Sequence, residues 1–494
     1  MTQLPKQSIS NIGLYGLVRQ SEVYDTLLPD GAVTEVQNFH FDSKGVAIVR
    51  PGITAIGATV TTTNSYPCVG IHNALSGTLI AVFSGAGSST IYDFNGGAWV
   101  ASLTGGTGSI RIRFTDFGSF VISPNFFQNT LSSMVFWAAG ADGSSYWKTS
   151  GSPINPQNLW GYNPQLVEVY KSRVYASGDT SITSNPSRLL FSAVISSTGN
   201  ITWSPTTDYV DINPGDGEGI TGMKRYSLEL LLFKPNYIYR FRTTGVDPDP
   251  LIRVGTRSQE SIVEGKRGLY FHHDSGFYRY SGGYPEDISR AVSDFVSAIP
   301  FSQYDDIIGW KDNDHIYWAI GNVTISETSG QVPWKNVVLR YTESSDVWTI
   351  YSYSRDIRRA VQFITGTSSS LVVATDHGVV AQFNNGATDL LEPIKYRVVT
   401  RWYDWGGVER IKAISQAVAV TEKALGAHIM CQINDEISWK EWGEVKSFIT
   451  YLDPLFQKFH RIRFKVTGVT DGEKPMFIGL EITELEDHGI TKNG

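Results

Sequence analysis

The sequence predicts an all-β protein whose main body is a β-propeller. Three observations carry this. A short apolar strand pattern recurs seven times along the chain. Aromatic residues make up 12% of the 494 residues, alongside 48 glycines. Almost no stretch keeps a 3.6-residue apolar period, so a helical bundle is excluded. Hydrophobic residues at 41% suffice for folded cores and rule out a disordered chain, while charged residues at 18% fall below the usual quarter. The length calls for two or three domains.

Residues 1–55 read as an irregular N-terminal arm. Pro29-Asp30-Gly31 and Arg50-Pro51-Gly52 are turn signals. Between them residues 36–42 alternate like a strand, and Asp42-Ser43-Lys44-Gly45 turns them into a second strand over 46–49. The arm is expected to carry this hairpin and to pack on something else.

Residues 56–394 hold the repeat. Its apolar anchors are residues 79–83, 120–123, 174–176, 230–233, 269–271, 316–319 and 371–374, with starts 41, 54, 56, 39, 47 and 55 residues apart. Partner strands rich in aromatics follow at 91–94, 145–148, 189–191, 238–241, 277–280, 338–341 and 379–383. Polar turns then lead to Trp99, Trp203 and Trp348. Units of roughly 40–50 residues made of short strands are the signature of propeller blades, which cannot bury both faces alone and stack through large apolar side chains. Seven anchors give about seven blades, and the uneven spacing is compatible with six to eight. The competing reading is a set of unrelated β-sandwiches. The best helical segment is 288–296, with Asp287 as its cap.

From residue 395 to 486 the texture changes. Residues 395–405, 411–420, 459–466 and 477–482 alternate, with turns at Gly406-Gly407, Asn434-Asp435 and Asp471-Gly472. A separate C-terminal β-sandwich is expected, able to fold alone, then a loose polar tail over 487–494.

The net charge of -7 and pI of about 5.8 argue against a high-affinity nucleic-acid binder. Apolar runs such as 228–233 are too short for a transmembrane helix, and the first residues show no secretory core, so no membrane insertion is expected. Cys68 and Cys431 suit two reduced structural thiols.

No phosphate-binding glycine loop and no His-Glu-x-x-His zinc motif occur. His272 and His273 are adjacent on a strand, so they point to opposite faces and share no metal. Asp305-Asp306 and Asp247-Pro248-Asp249-Pro250 lack the separated acid and base of glycoside hydrolysis. Residues 197–203 faintly resemble a sialidase Asp-box turn without its aspartate, and a plain hairpin explains them better. The loop 211–219 carries Asp211, Asp216 and Glu218 among glycines. It could hold calcium, but its spacing is not an EF-hand, and a connection between blades is the preferred reading. No catalytic, cofactor-binding or metal-ligating residue is assigned.

A resemblance then emerges. Residues 167–178 (Val167-Glu168-Val169-Tyr170 onward), Asn185-Pro186-Ser187-Arg188-Leu189-Leu190-Phe191-Ser192, Ile201-Thr202-Trp203 and Asp211-Ile212-Asn213-Pro214-Gly215-Asp216-Gly217 resemble the propeller of bacteriophage tail hub proteins. These are also called tail nozzle or packaged-DNA stabilisation proteins of short-tailed phages. Ile220-Thr221-Gly222, Leu232-Phe233-Lys234 and Ile238-Tyr239-Arg240 continue it, as does the opening from Leu28-Pro29-Asp30-Gly31 through Gln37-Asn38 to Arg50-Pro51-Gly52. The clear overlap covers about residues 25–52 and 165–295.

The resemblance implies a structural virion protein with no enzymatic activity and no cofactor. It implies a ring of copies, six by the family's habit, that extends and closes the DNA channel below the portal and its adaptor. A distal needle, plug or fibre protein would meet the other end, and genomic DNA would pass through without sequence-specific binding. The protein would be made in the host cytoplasm and reside in the virion tail. The alternatives are a glycan-binding or glycan-cleaving propeller, and a propeller scaffold for protein partners. In the channel reading the arm and the loop 211–219 are the expected contacts between copies, and the lumen is acidic or mixed in charge. Arg355, Arg358 and Arg359 form the densest basic cluster, and Lys224-Arg225 and Lys266-Arg267 are read as solvated pairs.

Overall fold

The computed structural model describes residues 2–18, 28–57, 66–74, 77–85, 87–108, 111–117, 120–124, 135–139, 145–148, 164–178, 186–194, 207–242, 245–246, 253–327, 330–434, 436–454 and 458–490. Among them, seven four-stranded antiparallel sheets follow one another along the chain. Their first strands are Cys68–Asn73, Thr115–Phe117, Leu166–Tyr170, Gly222–Tyr226, Val263–Glu264, Ile308–Asp312 and Ile357–Thr365. The first strand of the seventh sheet lies against that of the first, so the series returns on itself. The body is all-β and propeller-like.

Each apolar anchor read from the sequence falls in the second strand of a sheet: Leu79–Ser84, Phe120–Ser123, Arg173–Ser177, Glu229–Phe233, Leu269–His273, His315–Glu327 and Ser368–Thr375. A second strand is flanked on both edges and covered on both faces, so it reads as a continuous apolar run. Leu79–Ser84 is buried at every position. One partner differs from expectation: Ser145–Lys148 is the fourth strand of its sheet, and Val135–Ala139 is the third. Aromatic side chains fill the gaps between sheets. Phe233 meets Phe271 at 5.3 Å between the fourth and fifth, Phe277 meets Trp318 at 4.6 Å between the fifth and sixth, and Trp310 meets Phe383 at 5.5 Å between the sixth and seventh. Each such burial contributes about 1.5–3 kcal/mol.

The seventh sheet takes its fourth strand from near the start of the chain. Thr54–Ala55 pairs antiparallel with Val380–Gln382. The residues before it and after 394 build two larger sheets together. One holds Ile449–Leu452, Arg410–Glu422, Met476–Ile490, Ala47–Val49 and Phe39–Phe41, with Thr2–Leu4 and Gln7–Ser10 also on Met476–Ile490 and Lys458–Phe459 on Arg410–Glu422. The other holds Gly16–Leu17, Ala32–Gln37, Lys395–Thr400, Ile462–Val469, His428–Ile433 and Lys440–Glu444. Ile414, Ala417 and Ile482 of the first share one core with Ile429, Phe464 and Val466 of the second, and that core runs on to Trp318 and Trp348 of the sixth four-stranded sheet.

Three expectations are corrected here. The hairpin of Phe39–Phe41 and Ala47–Val49 forms, but residues 1–55 are no separate arm: their strands are edges and interior members of the sheets that residues 395–490 also build. The alternating strands at both ends each present one apolar face, and each covers the other. Second, no loose tail begins at 487. Asp487 is buried within the last strand, in register with Thr2 and Lys412, and is paired with Arg410. Third, the helical segment is split: a short 3-10 turn, Arg290–Val292, leads into a five-residue α-helix, Ser293–Ser297. Asp287 accepts from the Ser289 amide instead of capping that helix. No helix among the described residues is long and apolar enough to cross a membrane.

Candidate functional site

Polar side chains are buried at three places where separate parts of the chain meet. The first is Arg50, fully buried. Its Nε donates to Asn38 Oδ1 at 2.8 Å, Nη1 to Asp389 Oδ1 at 2.8 Å and to the Pro51 carbonyl at 3.0 Å, and Nη2 to Asp389 Oδ2 at 2.6 Å and to the Ser352 carbonyl at 2.8 Å. All five guanidinium donors are therefore used. The Tyr353 ring lies 3.8 Å beneath. Asn38, at φ 61, donates from Nδ2 to the Lys395 carbonyl and accepts the Ser352 amide at Oδ1. Gly52 is required beside them, since a Cβ there would stand 1.8 Å from the Thr388 carbonyl oxygen. The motif Gln37-Asn38…Arg50-Pro51-Gly52 thus ties the N-terminal strands to the sixth sheet and to the segment leading to residue 395.

The second place is the loop 211–219. Lys234 is fully buried and its Nζ donates to both Asp216 oxygens at 2.7 and 2.8 Å, to Ser187 Oγ at 2.9 Å and to the Asn213 carbonyl at 3.2 Å. The Tyr239 hydroxyl donates to Asp216 Oδ2 at 2.9 Å. Burial pushes the Asp216 carboxyl up, but the bonds from Lys234, the Glu218 amide and Tyr239 outweigh it and hold the group below its usual range. Asp211 is paired with Arg188 and Glu218 accepts the Asn236 amide. The three carboxylates that suggested calcium are engaged by the protein's own donors, and the loop joins the third sheet to the fourth.

The third place was not found from the sequence. The turn Gln259–Ser261 and its neighbour Ser258 sit where the first strands of the sheets begin. Glu260 accepts Arg113 Nε at 2.7 Å and Arg111 Nη1 at 3.1 Å. Arg111 also pairs with Asp306, at the start of the sixth sheet. Arg113 Nη1 donates to the Gln165 carbonyl at 2.9 Å, at the start of the third. Gln259 Nε2 donates to the Met223 carbonyl at 2.8 Å in the fourth, and Ser258 Oγ to the Ile307 carbonyl at 2.7 Å. Arg359 of the seventh sheet reaches the Val69 carbonyl of the first at 2.8 Å. One polar cluster thus gathers the starts of all seven first strands and crosses the propeller axis at that end. Burial pushes the Glu260 carboxyl up, but Arg113 and Arg111 hold it far below its usual range. Burial brings Arg359 down to about 10, with Glu260 opposing.

Beside this cluster lies a cavity of about 140 Å³ lined by Gln303, Asp306, Gly321, Asn322, Asp356 and Arg358. Burial pushes Asp356 up to about 6; Arg358, at 3.0 Å, opposes this, and Asp376 and Asp306 add to it.

The remaining residues singled out from sequence fall as follows. His272 is buried between the rings of Phe277 and Tyr304, and burial brings it down to about 3, while His273 is only partly buried. Lys266 pairs with Asp314 and Arg267 with Asp346. Lys224 and Arg225 lie near enough to Glu168 to oppose the upward push of burial on it. Arg358 and Arg359 part company, one facing the cavity and the other the axial cluster. Cys68 and Cys431 are free and buried. Burial pushes the Cys68 thiol up to about 11. Among the described residues no group of three or more His, Cys, Asp or Glu side chains is placed to hold a metal ion. Residues 197–203 and 247–250 lie outside the described residues.

No protein-family model and no curated protein matches this chain. Among solved structures it is similar to the extracellular domain of a putative one-component system from B. thetaiotaomicron, with TM-score 0.40 and 10% identity over 76% of this chain and 44% of that one. The chain therefore spans less than half the length of that protein. It is also similar to the Pan2 WD40 domain of Neurospora crassa, with TM-score 0.38 and 8% identity over 69% of this chain and 96% of that one. A third is YCF48 from Cyanidioschyzon merolae, with TM-score 0.37 and 12% identity over 67% and 99%.

Proposed function

We propose that this chain is a structural subunit of a phage tail hub or nozzle, a seven-bladed propeller joined to a β-sandwich made from both ends of the chain. Copies form a closed ring, six by the family's habit, that continues the DNA channel between the portal adaptor and a distal tail component. The protein is not an enzyme, carries no cofactor and works in the virion. The observation that carries this reading is where the resembling segments lie. Within the overlap of about residues 25–52 and 165–295, Arg50 supplies one half of the joint with Asp389, and Lys234 and Asp216 supply both halves of theirs; these joints fasten blades and sandwich together. Segments that fasten the parts together suit a wall that must hold its shape. The lumen lies between copies, because the propeller's own axis is crossed by Ser258, Gln259 and Glu260.

The test is to purify virions of a phage encoding this chain and count its copies by quantitative mass spectrometry, then image the purified protein mixed with the adaptor. A copy number equal to a ring, and closed rings in the micrographs, are expected. Absence from particles refutes the proposal. A filter-binding titration near 0.15 M salt should find only weak, sequence-indifferent binding to duplex DNA.

A second reading draws on the cavity beside the axial cluster. It places two carboxylates, Asp306 and Asp356, in unlike environments, and such a pair divides acid and base roles in glycoside hydrolysis. Turnover of aryl glycosides that disappears in Asp356→Asn would favour a glycan-cleaving propeller over the structural role.

A further inference from the structure

Three irregularities of the backbone meet at the cavity between the sixth and seventh sheets. The strand His315–Glu327 pairs with Ile308–Asp312 as far as Ala319, and its ladder to Gly330–Thr342 slips on either side of Gly321, which stands at φ 74. The strand Ile357–Thr365 slips in register between Ile357 and Arg359. The 3-10 turn Phe301–Asp306 supplies the third side. Slips of this kind re-aim side chains and gather beside binding sites. Here they bring Asn322, Asp356 and Arg358 to one cavity with Gln303 and Asp306.

The charges of the lining are balanced. Arg358 Nη2 lies 3.0 Å from Asp356 Oδ2, and Arg111 of the axial cluster pairs with Asp306. A further ion of either sign would have to break one of these pairs. Two polar atoms remain. Gln303 Oε1, an acceptor, and Arg358 Nε, a donor, are buried without a hydrogen-bond partner among the described residues. A neutral ligand bearing hydroxyl groups answers both, because each hydroxyl donates once and accepts twice. Gly321 and three aliphatic residues aside, the described lining is polar, which disfavours a flat apolar ligand. The volume of about 140 Å³ is close to the roughly 150 Å³ that takes up one benzene molecule, so there is room for one six-membered ring.

We propose that this cavity binds a single neutral pyranose ring, its hydroxyls held by Gln303, Asp306 and the Asp356–Arg358 pair. The site goes beyond the ring-forming role and does not depend on it. Unlike the glycan-cleaving reading, it asks for no acid–base chemistry.

The test is saturation-transfer difference NMR on the full chain at neutral pH, with glucose, galactose, mannose and N-acetylglucosamine as separate probes. Free monosaccharides hold no bond between sugars, so binding is read apart from cleavage. At least one of the four should receive saturation from the wild type. Arg358→Gln should abolish the transfer. Gln303→Ala removes a side-chain carbonyl that no other described group holds, leaves the fold intact and should weaken binding several-fold, so it decides the matter if Arg358→Gln fails to fold. No transfer to any of the four sugars, or equal transfer from the wild type and Gln303→Ala, overturns the proposal. A rise in unfolding temperature with calcium or phosphate, in the absence of sugar transfer, would identify an ion site in its place.

Discussion

Removing one partner of the Arg50–Asp389 pair should loosen the fastening of the N-terminal strands to the propeller. Both side chains are almost wholly buried, 0% and 4% exposed. In Asp389→Ala, the guanidinium keeps its bonds to Asn38, Pro51 and Ser352 but loses the two from Nη1 and Nη2 to the carboxylate, and its charge stays where water cannot reach it. A buried pair broken on one side costs about 3–5 kcal/mol. Arg50→Met should cost a similar amount, because Asp389 is left with the Ser354 amide, 3.3 Å from Oδ2, and the Ser354 hydroxyl on its own carbonyl. Replacing both, as Arg50→Met with Asp389→Leu, removes the stranded charge, and such swaps are often close to neutral. The double variant should therefore cost no more than either single one. Urea unfolding followed by tryptophan fluorescence reads all four proteins. A loss below about 1 kcal/mol in Asp389→Ala, or a double variant whose loss equals the sum of the singles, would refute the reasoning.

Glu260→Ala should strip Arg111 and Arg113 of their buried counter-charge, lower stability by about 3–5 kcal/mol and raise hydrogen exchange in the seven first strands together; exchange rising only in the fifth sheet would contradict a cluster that gathers them all. A fragment of residues 395–490 should lack cooperative thermal unfolding, and adding residues 1–55 in trans should restore it, since each large sheet needs strands from both ends; a sharp transition in the fragment alone would show otherwise. Acid should destabilise the protein through His272, whose ring is brought from 6.5 to about 3 by burial, with His273 adding to that and Asp274 opposing. The unfolded chain binds the proton more readily, so this contribution is whole above pH 6.5 and is lost as pH falls toward 3. Between pH 7 and 5 the loss is about 2 kcal/mol at 1.36 kcal/mol per pH unit. His272→Leu should flatten that slope in urea midpoints, and an unchanged slope would be the wrong outcome.

The repeated body was legible because its second strands are buried on every side. Residues 79–83 and 230–233 need no partner to be recognised as interior strands. Residues 145–148 read as the partner strand because Tyr146 and Trp147 carry the aromatic pattern, whereas Val135–Ala139, set off from them by Gly140-Ala141-Asp142-Gly143, is the third strand that this pattern passes over. The union of the two chain ends could not be read, since alternation says which face a strand buries but not which strand lies beside it. Asp487 looked like part of a polar tail because its partner, Arg410, is 77 residues away. The axial cluster escaped for a related reason. Arg111, Arg113, Glu260 and Arg359 have no common spacing, and only the convergence of seven strand starts brings them together. The carboxylates of the loop 211–219 were legible as a group, but their partners Arg188 and Lys234 are scattered before and after it, so an ion site and a salt-bridged loop looked alike.

The pairing of Thr54–Ala55 with Val380–Gln382, and of Thr2 with Asp487, has a consequence in time. Chains are made from the N-terminus at about 5–20 residues per second, so the opening strands emerge about 15–100 s before their partners exist. During that interval the meanders between them can close from neighbouring residues, whereas the edges near residues 2–55 stay unsatisfied. Completion of the seventh sheet and of both large sheets must then come as a late step that draws the earliest and latest parts of the chain together. A chain ending before residue 380 would leave Thr54–Ala55 without its partner strand, and the core of Leu79, Phe83, Val372 and Ala374 open where Val380 covers it.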